Sequence, residues 1–142
     1  MAGLPGLSVL VVENDALLAM SIQDALTSAG CGRVETEFSS QQVVKKIAED
    51  RFDLATLSLS SSDGPWPEVA QQLNRYKIPF IYISCFEKSH FDDLPDAPWL
   101  SKPFADAELL AVAQVALDQA AAAAMVKNSE RGTKIGLDHF DA

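Results

Sequence analysis

The chain has 142 residues, room for one domain of ordinary size, and its 48% apolar and 22% charged residues exclude wholesale disorder. Eleven Lys and Arg stand against 20 Asp and Glu, and a net charge of −9 repels a nucleic-acid backbone or an anionic membrane, so neither is expected as a partner. No Lys or Arg precedes Arg33, the longest apolar run is 120–126, and Cys31 and Cys85 form no CxxC pair, so the expectation is a cytoplasmic domain without leader peptide, membrane span, disulfide framework or zinc site.

Ser8, Val9, Leu10, Val11 and Val12 make a continuous apolar run, which predicts a strand buried on both faces. The run stops at Glu13, Asn14 and Asp15, and Asp15 is a helix-capping type. Leu18, Ile22, Ala25, Leu26 and Ala29 then recur at helical spacing up to Gly30. Val34, Thr36 and Phe38 alternate with Glu35 and Glu37, as in a half-exposed strand near a sheet edge. Ser39 and Ser40 can cap a helix bearing Val43, Val44, Ile47 and Ala48.

The alternation then repeats. Residues 54–59 predict a buried strand, followed by a flexible serine-rich loop over 60–65 and a helix with Pro67 in its first turn and Val69, Ala70 and Leu73 on one face. A fourth strand covers 79–84, and residues 85–98, with Pro95 and Pro98, admit at most one short helical turn. Trp99, Leu100 and Ser101 form a short fifth strand. The last helix starts with Asp106 and Glu108, buries Leu109, Val112, Ala113, Ala116 and Leu117, and is prolonged by five alanines at 120–124. From Asn128 onward periodicity ends, which divides the chain into an N-terminal extension (1–6), a domain (7–127) and a flexible tail (128–142). Strands alternating with helices predict a doubly wound α/β fold, a five-stranded parallel sheet in the order 2-1-3-4-5.

In such a sheet, chemistry sits at the carboxyl ends of the strands. There the sequence places Glu13 and Asn14 after the first strand, Ser58 in the third, Ser84 in the fourth and Lys102 after the fifth. Val11 to Asn14, Phe52 to Leu54, Pro79 and Phe80 through Ser84, and Lys102 to Phe104 together resemble the receiver domain of two-component response regulators, over about residues 7–120. The Pro79–Phe80 strand and the shortened segment before Trp99 resemble an alphaproteobacterial single-domain subgroup with a reduced fourth helix. The resemblance implies the flavodoxin-like fold, two acidic residues that bind Mg²⁺, a phosphoacceptor aspartate, a Ser or Thr, a Lys and a switch aromatic. By position Glu13 matches the first acidic residue, Asn14 replaces the second, Ser84 and Lys102 are retained, and Trp99 takes the switch place. Ser58 stands where the phosphoacceptor aspartate belongs.

That departure changes the chemistry. A phosphorylated carboxylate is a reactive acyl phosphate, and Mg²⁺ offsets the charge gathered on the transferring group. With Glu13 as the only core carboxylate facing Lys102, the set sums to zero, and a cation that wants hard oxygen ligands is expected to bind weakly or not at all, so no cofactor is expected. Ser58 would give at most a stable ester. The expected function is therefore an atypical receiver-like signalling module, not an enzyme, that acts by phosphate-independent contact with a histidine kinase or a downstream regulator. Lys102 would be held permanently by Glu13, Ser58 or Asn14. Two alternatives stand beside it: residual phosphoacceptor activity at a substitute such as Asp15, and a purely structural homodimer module. Blander readings accompany each residue. Ser58 reads equally as a small strand-end filler, Trp99 as core packing, Cys85 as a buried inert thiol, Asp15 as a helix cap, and His90 and His139 as residues without a ligand role.

Overall fold

The computed structural model describes residues 4–59, 65–91 and 93–141, with 127–141 as backbone only. The elements run β1 (Ser8–Val12), α1 (Ala16–Ser28), β2 (Arg33–Glu37), α2 (Ser40–Glu49), β3 (Leu54–Leu59), α3 (Trp66–Arg75), β4 (Phe80–Ser84), a 3₁₀ turn (Lys88–His90), β5 (Trp99–Ser101) and α4 (Asp106–Asp141). All strands are parallel, in the order β2-β1-β3-β4-β5. Both the doubly wound class and the strand order agree with the sequence reading.

Alternation along the strands sorts the core into two layers. Leu10, Val12, Ala55, Leu57, Phe80 and Tyr82 pack beneath α2 and α3 with Val43, Ile47, Val69 and Leu73. Val9, Val11, Leu54, Ile81, Ile83 and Leu100 face α1 and α4 with Ile22, Leu26, Leu109 and Ala113. The central strands are buried on both faces, as their unbroken apolar runs require, whereas β2 at the edge is only half-buried.

Local caps fix where helices begin and end. Asp15 accepts hydrogen bonds from the amides of Leu17 and Leu18, and Ser39 accepts one from Gln42. Gly30 adopts φ +99° after α1, where its amide bonds to Thr27 O and that of Cys31 to Leu26 O, the paired closure that a left-handed residue permits.

Three expectations need correction. Phe38 lies beyond the end of β2 and is 72% exposed, because Ser39 already turns the chain into α2. Cys85 is exposed, since β4 ends at Ser84 and the next residue leaves the sheet; the buried thiol is Cys31. Residue 127 is not a helix end: α4 continues to Asp141, as no proline interrupts a segment seeded by alanines and Gly132 and Gly136 only weaken it. Within the N-terminal extension Leu4 is buried and Gly6 N donates to Gly30 O. Ser60 to Gly64 of the serine-rich loop, and the side chain of His139, lie outside the described residues.

The β4–β5 connection holds one 3₁₀ turn in place of a helix, as the prolines require. Aromatic packing substitutes for the missing helix. Tyr82 sits 5.2 Å from Phe80 and 5.4 Å from Trp99 between ring centroids, and Trp99 lies 5.7 Å from Phe91. The Tyr82 hydroxyl donates to Pro95 O at 2.6 Å and ties the segment down.

Between Asp106 and Val126, α4 is apolar enough by length and composition to cross a membrane, with a mean hydropathy of 1.7 in an 18-residue window. Its Leu109, Ala113 and Ala116 are docked against the sheet, and alanines supply much of the hydropathy.

Candidate functional site

The register of the parallel strands gathers the expected residues at one end of the sheet. β1 ends in Val12, paired with Leu57, and the chain then presents Glu13; Ser58 pairs with Ile83, and Ser84 pairs with both Leu59 and Ser101. Lys102 N continues that ladder onto Ser84 O at 2.9 Å, which aims its side chain back across the strand ends.

Glu13 and Lys102 meet there. The Glu13 side chain is 1% exposed, its Oε2 accepts from Asp15 N at 2.9 Å, and its Oε1 lies 3.4 Å from Lys102 Nζ. Of the three holders expected for Lys102, Glu13 is the one in contact; Asn14 is exposed and Ser58 Oγ has no hydrogen-bond partner. Burying a carboxylate costs several kcal/mol unless it is paired and hydrogen-bonded, and Glu13 has both kinds of support.

Ser58 is 3% exposed, and its hydroxyl is unpartnered. Thr56, two residues earlier on the same face of β3, is fully buried with an equally orphaned hydroxyl. Sequence reading missed Thr56; the available signal was a polar side chain in period with Leu54 and Ser58 inside an apolar run. Ser84 Oγ, by contrast, is satisfied: it accepts from Phe86 N at 2.9 Å and donates to Leu59 O at 3.4 Å, closing the start of the β4–β5 segment.

Trp99 lies at the edge of this end, packed between Tyr82 and Phe91, with its indole nitrogen buried and unpartnered. Trp66 is buried in the α2–α3 layer. His90, the last residue of the 3₁₀ turn, and Cys85, just after β4, are both exposed.

The donor set is a poor fit for Mg²⁺. Among the described residues, no three of His, Cys, Asp and Glu are grouped as metal ligands. Both Glu13 oxygens are engaged, Oε2 by Asp15 N and Oε1 by the ammonium of Lys102, and Asp15 Oδ1 is committed to capping α1.

Solved structures share this fold. A response regulator receiver protein from Sinorhizobium medicae matches with a TM-score of 0.71 at 21% identity, over 81% of this chain and 97% of that one. The fold is that of a receiver domain. The receiver domain of a sensor histidine kinase from Pseudomonas aeruginosa, solved with magnesium in its active-site cleft, matches the receiver fold at 0.69 and 20% identity, covering 80% and 98% of the two chains. The PhyR receiver domain of Erythrobacter litoralis gives 0.67 at 23% identity, with 80% and 91% covered. No family model and no curated protein matches the sequence.

Proposed function

We propose that the chain is a pseudo-receiver signalling module of a two-component type pathway, which acts through protein–protein contact and without an acyl-phosphate cycle. The observation that carries this reading is the pairing of a buried Glu13 with Lys102 beside a serine, Ser58, at the strand end. A hydroxyl is protonated at neutral pH and has no labile acyl product, and the pocket charge of zero gives Mg²⁺ little to bind. Lys102 already has an anion to hold, so the pocket needs no incoming phosphoryl group to fix it.

The partner on this reading is a histidine kinase, or a regulator downstream of one, and the chain is not itself an enzyme. Cytoplasmic placement, without a membrane or nucleic-acid partner, accords with a net charge of −9 and with the docking of α4 on the sheet. The capping of α1 by Asp15 weighs against that residue as a substitute phosphoacceptor.

Incubation with radiolabelled acetyl phosphate and Mg²⁺ tests the reading. No incorporation is expected. Label that is lost in mild base would reveal an acyl phosphate and overturn it.

A further inference from the structure

The carboxyl ends of α2 and α3 meet at the amino end of the sheet, opposite the strand-end site, round a cleft of about 410 Å³. Its floor is closed by the buried Ile47, Phe52 and Ile78, while Arg51, Tyr76 and Lys77 stand exposed on its lip. Lys77 holds φ +58° and ends α3, its amide bonding to Asn74 O and that of Ile78 to Leu73 O. Gly30 makes the same closure after α1 at φ +99°, where the absence of a Cβ relieves the crowding of the left-handed conformation. A lysine costs stability at this position that glycine does not, and a side chain kept in spite of strain points to a use outside folding.

Charge supports that use. Residues 45–53 and 75–79 hold five of the eleven Lys and Arg, but three of the twenty Asp and Glu. Among the described residues Arg33, Lys46, Lys88 and Lys102 are ion-paired, whereas Arg51, Arg75 and Lys77 are not. The acids nearby are Glu49, Asp50 and Asp53; Asp50 is held by Arg33, and Asp53 accepts from Ser8 N. A helix carboxyl end favours cations, which accounts for Arg75 in the last turn of α3 but asks for no lysine at the strained position. The closed floor leaves a small molecule largely in water, whereas a chain laid across the cleft meets both cations and the tyrosine of the lip. A second copy of this chain would stack head to tail, an open-ended contact opposed by a charge of −9 on each molecule. We propose that this cleft docks an extended acidic segment of another protein, whose carboxylates meet Arg51 and Lys77 and whose apolar side chain rests on Tyr76. The surface lies at the end of the sheet away from Glu13 and Lys102, and its use does not depend on how that pocket is read.

The test uses a synthetic peptide of about ten residues, Glu and Asp around a central Leu-Phe pair, and a matched peptide with Lys for every acid. Titrated into the ¹⁵N-labelled full chain, the acidic peptide is expected to shift amides of residues 47–53 and 75–78, with the Lys peptide at least about tenfold weaker. Arg51→Gln and Lys77→Gly each weaken acidic-peptide binding about threefold and together about tenfold, in keeping with solvent-exposed ion pairs. Lys45→Gln, at an exposed cation of α2 outside the cleft, leaves binding unchanged. Lys77→Gly is also expected to unfold at a urea midpoint no lower than the parent's, because glycine suits the left-handed position. Loss of binding without loss of stability separates docking from a structural role. A lower midpoint with binding intact would assign Lys77 to folding and overturn the proposal. No saturable shift at millimolar peptide, shifts centred on Glu13 and Lys102, equal binding of the Lys peptide, or equal loss with Lys45→Gln would also overturn it. So would self-association in sedimentation that the Arg51→Gln, Lys77→Gly double variant abolishes, because the occupant would then be a second copy.

Discussion

Lys102 Nζ stands 3.4 Å from Glu13 Oε1, joining residues 89 positions apart across the ends of β1 and β5. The carboxylate is buried and the lysine side chain is 23% exposed, so the two partners do not contribute alike. Removing the cation strands a buried charge, while removing both leaves a neutral pocket.

Lys102→Met is therefore expected to destabilise the fold by about 2 kcal/mol, below the 3–5 kcal/mol typical of a broken fully buried pair because Lys102 is partly solvated. Adding Glu13→Gln to Lys102→Met recovers most of the loss. Urea denaturation of the two single variants and the double variant closes the cycle. A double variant as unstable as the sum of the singles would mean that the pair is not coupled.

The orphaned hydroxyl of Thr56 gives a cleaner packing test. Thr56→Val keeps the shape and removes a fully buried polar group that has no partner. The expected change is a gain of about 1 kcal/mol. A loss of similar size would indicate that the hydroxyl is satisfied in solution.

Alkaline pH tests the groups that hold their protons more tightly in the folded chain. Burial raises the Cys31 thiol above its ordinary 9.0, burial and then the Asp96 charge raise the Tyr82 phenol above 10.0, and the hydrogen bond to Glu35 foremost raises Lys46 above 10.5. In each case the folded protein keeps a proton that the unfolded chain has released, so the unfolded state binds fewer protons and stability falls as pH rises. The urea midpoint is expected to be flat across neutral pH and to decline from about pH 9 upward. Tyr82→Phe should flatten the steeper part of that decline; an unchanged slope in the variant would remove Tyr82 from the account.

Much of this architecture was legible in the sequence because its signals are local. Valine-rich runs marked β1 and β3, Asp15 and Ser39 announced their helices, and Pro95 with Pro98 ruled out a helix before β5. Ordered spacing brought Glu13, Ser58, Ser84 and Lys102 to one end of the sheet, since parallel strands share a carboxyl end. What spacing could not decide was tertiary: which of three candidates Lys102 touches, whether Cys85 turns in or out, and where α4 stops. The outward Leu17 and Met20 were visible as apolar residues off the buried stripe of α1, but only burial values separate a covered face from an open one.

The central claim is that Glu13 and Lys102 hold the pocket without Mg²⁺ or a phosphoryl group. Beryllofluoride with Mg²⁺, followed through the ¹⁵N amide spectrum of the full chain, tests it most directly. At millimolar reagent the account predicts no saturable shift at Ser58, Ser84, Trp99 or Lys102. It also predicts that Ser58→Asp combined with Asn14→Asp, which supplies two carboxylates, acquires a Mg²⁺-dependent response. Saturable, Mg²⁺-dependent shifts at those four residues in the parent protein would contradict it.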